Sequence, residues 1–260
     1  MKRISLFIVL MLSVLALTSE AKKPSTPRTI AHRGYWDTEG SAQNSVASLA
    51  KAQELGVYGS EFDVWLTTDG KVALNHDGVI NGVTIQDAKW DDIKDFTLSN
   101  GEKIPLLEDY LKQAKKNKKV KLILEIKSHR TPEQEKAVAE AVARIVTDAK
   151  MGKQVEYISF SINICRELAR LLPKEEIAYL ASGNSAYTID ELKAMNINGI
   201  DYHIGIFRAH PEYVTEAHKN KMTVNVWTVN KPEEMAEMMN LGVDFITTDN
   251  PKEALKLGKK

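Results

Sequence analysis

Residues 121–127 read Lys121-Leu122-Ile123-Leu124-Glu125-Ile126-Lys127, and after a short polar break Glu133–Asp148 carries apolar residues at helical spacing. Tyr157–Ser161 is then short and apolar again. A short apolar run, a long amphipathic run and a second short apolar run read as two parallel strands joined by a crossover helix. The pattern continues in both directions. Upstream, strands are predicted over Thr29–Arg33 and Ser60–Trp65, with helices over Ser45–Leu55 and Leu106–Asn117. Downstream, strands over Ile177–Ala181, Gly199–His203, Thr223–Val229 and Asp244–Thr248 alternate with helices over Ile189–Met195, Pro211–Asn220 and Pro232–Asn240. Pro232 suits a helix start, and Gly242 suits the residue just past a helix end. Eight strands joined in this way fit a closed (β/α)8 TIM barrel better than the alternative, an open doubly wound sheet.

One stretch departs from the alternation. Thr67-Thr68-Asp69-Gly70 is a turn, and Lys71–His76 a second extended run, so a hairpin-like extension is expected after the second strand. Asp77–Lys103 follows with Gly78, Gly82 and Gly101 and one short helical piece near Asp91–Phe96. It reads as a small insertion at the barrel mouth.

The N-terminus carries a different signal. Lys2 and Arg3 precede an uncharged apolar stretch, Ile4–Leu17, and Ser19-Glu20-Ala21 offers small residues where a signal peptidase reads. Met1–Ala21 is therefore expected to be a cleavable signal peptide directing export, to a periplasm or outside the cell; an uncleaved anchor is the alternative. No stable membrane span is expected after cleavage, because the stretch falls short of the ~20 apolar residues a span needs. No cysteine follows the apolar run, so a lipid anchor would lack an attachment point.

Lys22–Lys260 has the length of one (β/α)8 barrel, typically about 250 residues, and no Pro/Gly/Ser-rich linker divides it. The whole chain has 35 basic and 35 acidic residues. That balance gives no reason to expect nucleic acid or an anionic membrane as a partner. Cys165 is the single cysteine, which excludes an intramolecular disulfide; on a predicted helix, Asn163–Leu172, it reads as a small buried hydrophobe.

The polar residues that stand out lie at the C-terminal ends of the early strands, the face where active sites of this fold open. His32 and Arg33 end the first strand, Glu61 and Asp63 lie in the second, His76 ends the hairpin, and Glu125 and Lys127 end the third. Residues two apart on a strand share a side, so Glu61 pairs with Asp63 and Glu125 with Lys127, while Phe62, Val64, Leu124 and Ile126 face the helices. Neighbouring strands then bring three carboxylates together. Two unit charges 4 Å apart repel by about 4 kcal/mol at an effective dielectric of 20, so three mutual pairs cost roughly 12 kcal/mol before desolvation. Either some of the acids are protonated, or a cation sits among them. An all-oxygen set suits one divalent cation, Mg2+ or Ca2+. The simpler alternative is that Arg33 and Lys127 neutralise the acids as ion pairs. His32 and His76 are candidates for proton transfer. Arg33 and Lys127 suit phosphate oxygens, and the set as a whole describes phosphoryl-transfer chemistry.

These residues occur in a recurrent pattern. Ala31-His32-Arg33-Gly34, Glu61-Phe62-Asp63-Val64 with Thr68-Asp69-Gly70, His76-Asp77 and Glu125-Ile126-Lys127 resemble the glycerophosphodiester phosphodiesterase family, within the phospholipase C-like phosphodiesterase superfamily. The likeness continues through Pro105-Leu106-Leu107-Glu108, Val226-Trp227-Thr228-Val229-Asn230 and Thr247-Thr248-Asp249-Asn250-Pro251, in the family's order. The resemblance implies a (β/α)8 barrel with an insertion at Asp77–Lys103 and a divalent cation held by Glu61, Asp63 and Glu125. It implies His32 and His76 as general base and acid, with Arg33 and Lys127 on the phosphate. The implied substrate is a small glycerophosphodiester, cleaved to an alcohol and glycerol 3-phosphate, with either water or the substrate's own 2-hydroxyl attacking. Trp227, at the end of the seventh strand, is a candidate for the substrate wall or else a core or lip aromatic. One departure stands out: the family's usual Pro-Glu-Asn-Thr is here Ala42-Gln43-Asn44-Ser45, so Gln43 replaces a carboxylate by an amide. Asn44 is kept and is expected either near the phosphate or as a helix cap.

Two other functions fit less well. A phospholipase D-like enzyme acting on lysophospholipids or sphingolipids would want an apolar mouth, and Gly78–Thr84 is only mildly apolar. A catalytically silent phosphodiester-binding barrel predicts loss of a ligand or histidine, and none is lost. A glycosidase needs two carboxylates but neither the Arg nor the Lys. His129, His203, His210 and His218 read as structural or surface residues, with His203 alone at the mouth.

Overall fold

The computed structural model describes residues 26–258; the expected signal peptide, Met1–Ala21, lies outside them. Eleven strands run β1 Arg28–Ala31, β2 Gly59–Leu66, β3 Val72–Leu74, β4 Val79–Ile80, β5 Val83–Thr84, β6 Lys121–Ile126, β7 Val155–Ser159, β8 Ile177–Ala181, β9 Gly199–His203, β10 Thr223–Trp227 and β11 Phe245–Thr248. Ten helices alternate with them: α1 Val46–Leu55, α2 Trp90–Ile93, α3 Leu107–Ala114, α4 Pro132–Asp148, α5 Ile162–Leu171, α6 Ile189–Ala194, α7 Ile204–Ala209, α8 Glu212–Lys219, α9 Pro232–Leu241 and α10 Pro251–Leu257.

The parallel strands β1, β2, β6, β7, β8, β9, β10 and β11 form a closed sheet, because β1 pairs with both β11 and β2. This is the TIM barrel expected from the alternation. Sequence patterning sets which side chains fill it. On β6, Leu122, Leu124 and Ile126 pack outward among the helices with Phe62 and Val64, while Ile123 joins Ile30, Ile158, Leu180 and Phe245 inside. Burial on both faces explains why the strands read as near-continuous apolar runs. Each fully buried Leu or Phe contributes about 1.5–3 kcal/mol.

Local signals set the helix ends. Ser45 Oγ accepts from the Ser48 amide at 2.9 Å at the start of α1, and Thr131 does the same for Gln134 at the start of α4. Gly242, with φ +92°, closes α9 as expected.

β3 pairs antiparallel with β2, Val64 opposite Leu74, which confirms the hairpin extension. The insertion then makes the β4–β5 ribbon and α2 around a small core of its own, Ile80, Ile85, Ile93 and Ile104 against Trp65, Trp90 and Phe96. It is tied to the barrel through Glu102, whose carboxylate accepts from the Val46 and Ala47 amides at 3.0 and 3.2 Å. A carboxylate at a helix N-terminus meets the unpaired amides and the positive end of the helix dipole.

Candidate active site

The β2–β6 register places Asp63 directly opposite Glu125, with Glu61 two residues earlier on the same face. All three are buried, and one oxygen from each lies within 4.8 Å of the others. The three expected ligands therefore converge. Lys127 joins them, its Nζ 2.8 Å from Asp63 Oδ1 and 2.7 Å from Glu125 Oε1.

Electrostatics follow from that crowding. Burial first, then Asp63 and Glu125, holds the Glu61 carboxyl well above the usual carboxylate range. Burial and then Asp63 push Glu125 up to about 8, against the pull of Lys127. Burial also opposes ionisation of Asp63, but Lys127, His76 and Asn44 outweigh it and hold that group below its ordinary value. Two cations, Lys127 and the Arg33 guanidinium beside Asp63, do not balance three carboxylates, so the ion-pair reading accounts for part of the cluster only. Glu61 Oε1 is buried without a hydrogen-bond partner. A buried carboxylate oxygen without a partner, in a residue of an all-carboxylate cluster, fits a hard divalent cation.

Arg33 is not the strand-end residue the pattern suggested. β1 stops at Ala31, and Arg33 and Gly34 both take left-handed conformations, φ +55° and +80°. That turn points the Arg33 amide at Glu61 Oε2, 2.7 Å away. Gly34 is required twice over: its φ is positive, and an added Cβ would lie 2.2 Å from Ser48 Oγ. The guanidinium donates to Gln43 Oε1 at 2.7 Å, and its Nε lies 3.9 Å from Asp63.

Asn44 neither caps the helix, a role taken by Ser45, nor stands free at the mouth. It holds Asp63 from two sides: its Nδ2 donates to Asp63 Oδ2 at 2.9 Å, and its Oδ1 accepts from the Asp63 amide at 3.0 Å. Its φ of +57° is one that Asn tolerates better than most residues.

His32 lies at the cluster, Nε2 4.0 Å from Glu61 Oε2, and its Nδ1 is 2.8 Å from Asp249 Oδ1. Asp249 is held in turn by Trp36 Nε1 at 3.1 Å and by Asn230, which donates to its carboxylate and accepts from its amide, both at 2.8 Å. Burial opposes ionisation of Asp249, but His32, Asn230 and Trp36 bring its pKa down to about 2. An ionised Asp249 accepts the Nδ1 proton and leaves His32 Nε2 with a lone pair facing the cluster. Asp249, Asn230 and Trp36 carried no assigned role in the sequence reading, although the first two lie in stretches that take part in the family resemblance.

His76 is half-buried and pairs through Nδ1 with Asp77 Oδ1 at 2.8 Å. Burial, then Lys127, lowers its pKa against the opposing effect of Asp63. Trp227 lies at the mouth, its Nε1 donating to the Asp201 carbonyl at 2.9 Å, with Phe160 and His203 edge-on to its ring at 5.5 and 5.3 Å. His129 is structural: it accepts from the Leu66 amide and meets the Lys127 carbonyl, tying β2 to the end of β6. His203 accepts from the Gly205 amide at the start of α7, and His210 and His218 pair with Glu212 and Asp244. Cys165 is buried, as expected.

Residues 32–253 match the sequence model of the glycerophosphoryl diester phosphodiesterase family. A glycerophosphodiester phosphodiesterase of Caldanaerobacter subterraneus is 28% identical over 246 residues, spanning 89% of this chain and 97% of that one. A solved glycerophosphodiester phosphodiesterase from Parabacteroides distasonis is 48% identical with a TM-score of 0.88, covering 90% of this chain and 98% of that one. A phosphodiesterase from Oleispira antarctica, solved in complex with the product sn-glycerol-3-phosphate, shares the fold at 21% identity with a TM-score of 0.78, over 90% and 98% of the two chains.

Proposed function

The chain belongs to the glycerophosphoryl diester phosphodiesterase family and is a phosphoric diester hydrolase, and from that premise we propose that it cleaves glycerophosphodiesters to an alcohol and sn-glycerol 3-phosphate with one divalent cation, Mg2+ or Ca2+. The observation that carries the proposal is the convergence of Glu61, Asp63 and Glu125 beside Lys127, Arg33 and His32 on the strand-end face.

The cation would be held by Glu61, Asp63 and Glu125 and would neutralise charge developing on the phosphoryl oxygens. The remaining work falls to side chains. Arg33 presents guanidinium nitrogens held by Gln43, and Lys127 an ammonium, to the other phosphate oxygens. His32 Nε2, its tautomer fixed by Asp249, takes the proton of the attacking hydroxyl, of water or of the glycerol 2-hydroxyl; in the second case water then opens the cyclic phosphate to glycerol 3-phosphate. His76, which interacts with Lys127 and Asp63, delivers a proton to the departing alcohol oxygen; an anionic substrate beside it raises its pKa toward the charged form. Trp227 forms part of the substrate wall. Among the described residues no helix is long and apolar enough to cross a membrane. Export through Met1–Ala21 is part of the same proposal, tested by N-terminal sequencing of the mature protein.

Phosphorus NMR of purified protein with glycerophosphocholine tests the reaction. The expected outcome is loss of the diester signal and growth of a glycerol 3-phosphate monoester signal. Free phosphate, or a different monoester, contradicts it.

A further inference from the structure

A cleft of about 640 Å³ opens beside the catalytic cluster, between the loop after β1 and the insertion. Three of its residues touch or adjoin the catalytic groups. Gln43 accepts from Arg33, Trp36 donates to the Asp249 that holds His32, and Asn75 precedes His76 and donates its amide to the Asp63 carbonyl. The cleft is therefore a continuation of the reaction centre. It is also lined by Asp37 and Glu39, both exposed, and by half-buried Phe96. No lysine or arginine lines it, and neither acid forms an ion pair among the described residues.

Charge of both signs therefore meets at the cleft. The Arg33 guanidinium adjoins it through the neutral Gln43 amide, and two carboxylates line it together with the Trp36 and Phe96 rings. A carboxylate at position 43 would neutralise Arg33 and remove that polarity; the amide orients the guanidinium and leaves its charge for an anion. A guanidinium at the reaction centre and a negative, aromatic cleft beside it complement a zwitterion, its phosphate at the centre and its ammonium in the cleft. We propose that Asp37 and Glu39, with Trp36 and Phe96, form a specificity subsite for the leaving alcohol and select phosphodiesters whose alcohol carries an amino or quaternary ammonium group. This rests on the hydrolase reading given above and adds the substrate class. Asn75, the residue before His76, lines the same cleft.

The test compares kcat/KM for glycerophosphoethanolamine, with a cationic alcohol, and glycerophosphoglycerol, with a neutral one. The proteins are the wild type, the double variant Asp37→Asn/Glu39→Gln, and a control of equal charge change, Glu108→Gln/Glu216→Gln, on exposed faces of α3 and α8. Exposed charge pairs and cation–π contacts of this kind are worth about tenfold together. The wild type and the control prefer the cationic substrate by roughly that factor at low salt, and the preference shrinks as salt screens it. In Asp37→Asn/Glu39→Gln the ratio collapses toward one, with the loss on glycerophosphoethanolamine carried by KM. An equal ratio in all three proteins overturns the proposal. Failure of the wild type to hydrolyse either diester defeats the hydrolase reading instead. The subsite is then decided by calorimetry of phosphoethanolamine against glycerol 3-phosphate: a preference for the first that Asp37→Asn/Glu39→Gln abolishes supports it, and no preference overturns it.

Discussion

His32 Nδ1 and Asp249 Oδ1 stand 2.8 Å apart, joining residues 217 positions distant in sequence across the pairing of β1 and β11. A histidine held in this way has one defined tautomer, and its other nitrogen faces the buried carboxylates. Asp249→Asn keeps the shape of the side chain but no longer guarantees that tautomer. The expected result is a fall in kcat on the order of 100-fold with a small change in KM and an unchanged circular dichroism spectrum. Undiminished kcat would show that His32 needs no orienting partner.

The histidines themselves should matter at least as much. His32→Ala and His76→Ala are each expected to lower kcat by about 10²- to 10⁴-fold. His129→Ala instead removes a contact between β2 and the end of β6, so its effect should appear in thermal unfolding. A variant panel assayed for both turnover and melting temperature separates the two kinds of histidine.

Gly34→Ala should be strongly disruptive. The site has positive φ and no room beside Ser48. A strained backbone of this sort costs about 1–3 kcal/mol before the clash is counted. The same turn aims the Arg33 amide at Glu61, so activity should fall with stability. Denaturant unfolding gives the first and steady-state rates the second. In contrast, Gly70→Ala meets nothing within 4 Å and bears only the cost of its φ of +79°.

Asp201 gives a pH dependence independent of the catalytic cluster. It is buried in the barrel, where burial, opposed by the Asn225 hydrogen bond, pushes its pKa up to about 7. The folded state thus favours the protonated acid. Its contribution to stability is fully present below the unfolded value near 3.9 and is lost as pH rises through about 7. Asp201→Asn should flatten the stability profile over that window and gain on the order of a few kcal/mol at pH 8 relative to the wild type. Urea unfolding at pH 5 and pH 8 measures it; parallel profiles for the two proteins would contradict the assignment.

The barrel and the acidic cluster were legible because both depend on short-range periodicity. Strand alternation puts Glu61 with Asp63 and Glu125 with Lys127, and strand order makes the two pairs neighbours. The β2–β3 hairpin was equally visible in the Thr67–Gly70 turn. Asp249, Asn230 and Trp36 were not, because their value lies in contacts between the two ends of the chain, which close only when β1 meets β11. The left-handed turn at Arg33 was hidden for another reason. Non-glycine residues seldom take positive φ, so no propensity argument would end β1 at Ala31 and turn the Arg33 amide toward Glu61. For Asn44 residue type alone offers a place near the phosphate or a helix cap; Ser45 takes the cap, and Asn44 locks Asp63.

The proposed chemistry has the carboxylate cluster working with a divalent cation in cleaving a glycerophosphodiester. Its most direct test is the rate of glycerol 3-phosphate release from glycerophosphocholine by protein stripped with EDTA, then supplied with Mg2+ or Ca2+, alongside Glu61→Gln under the same conditions. The expected result is negligible release after stripping, recovery with one or both ions, and a much weaker metal response in Glu61→Gln. Full activity in the stripped protein, or an identical metal response in Glu61→Gln, would contradict it.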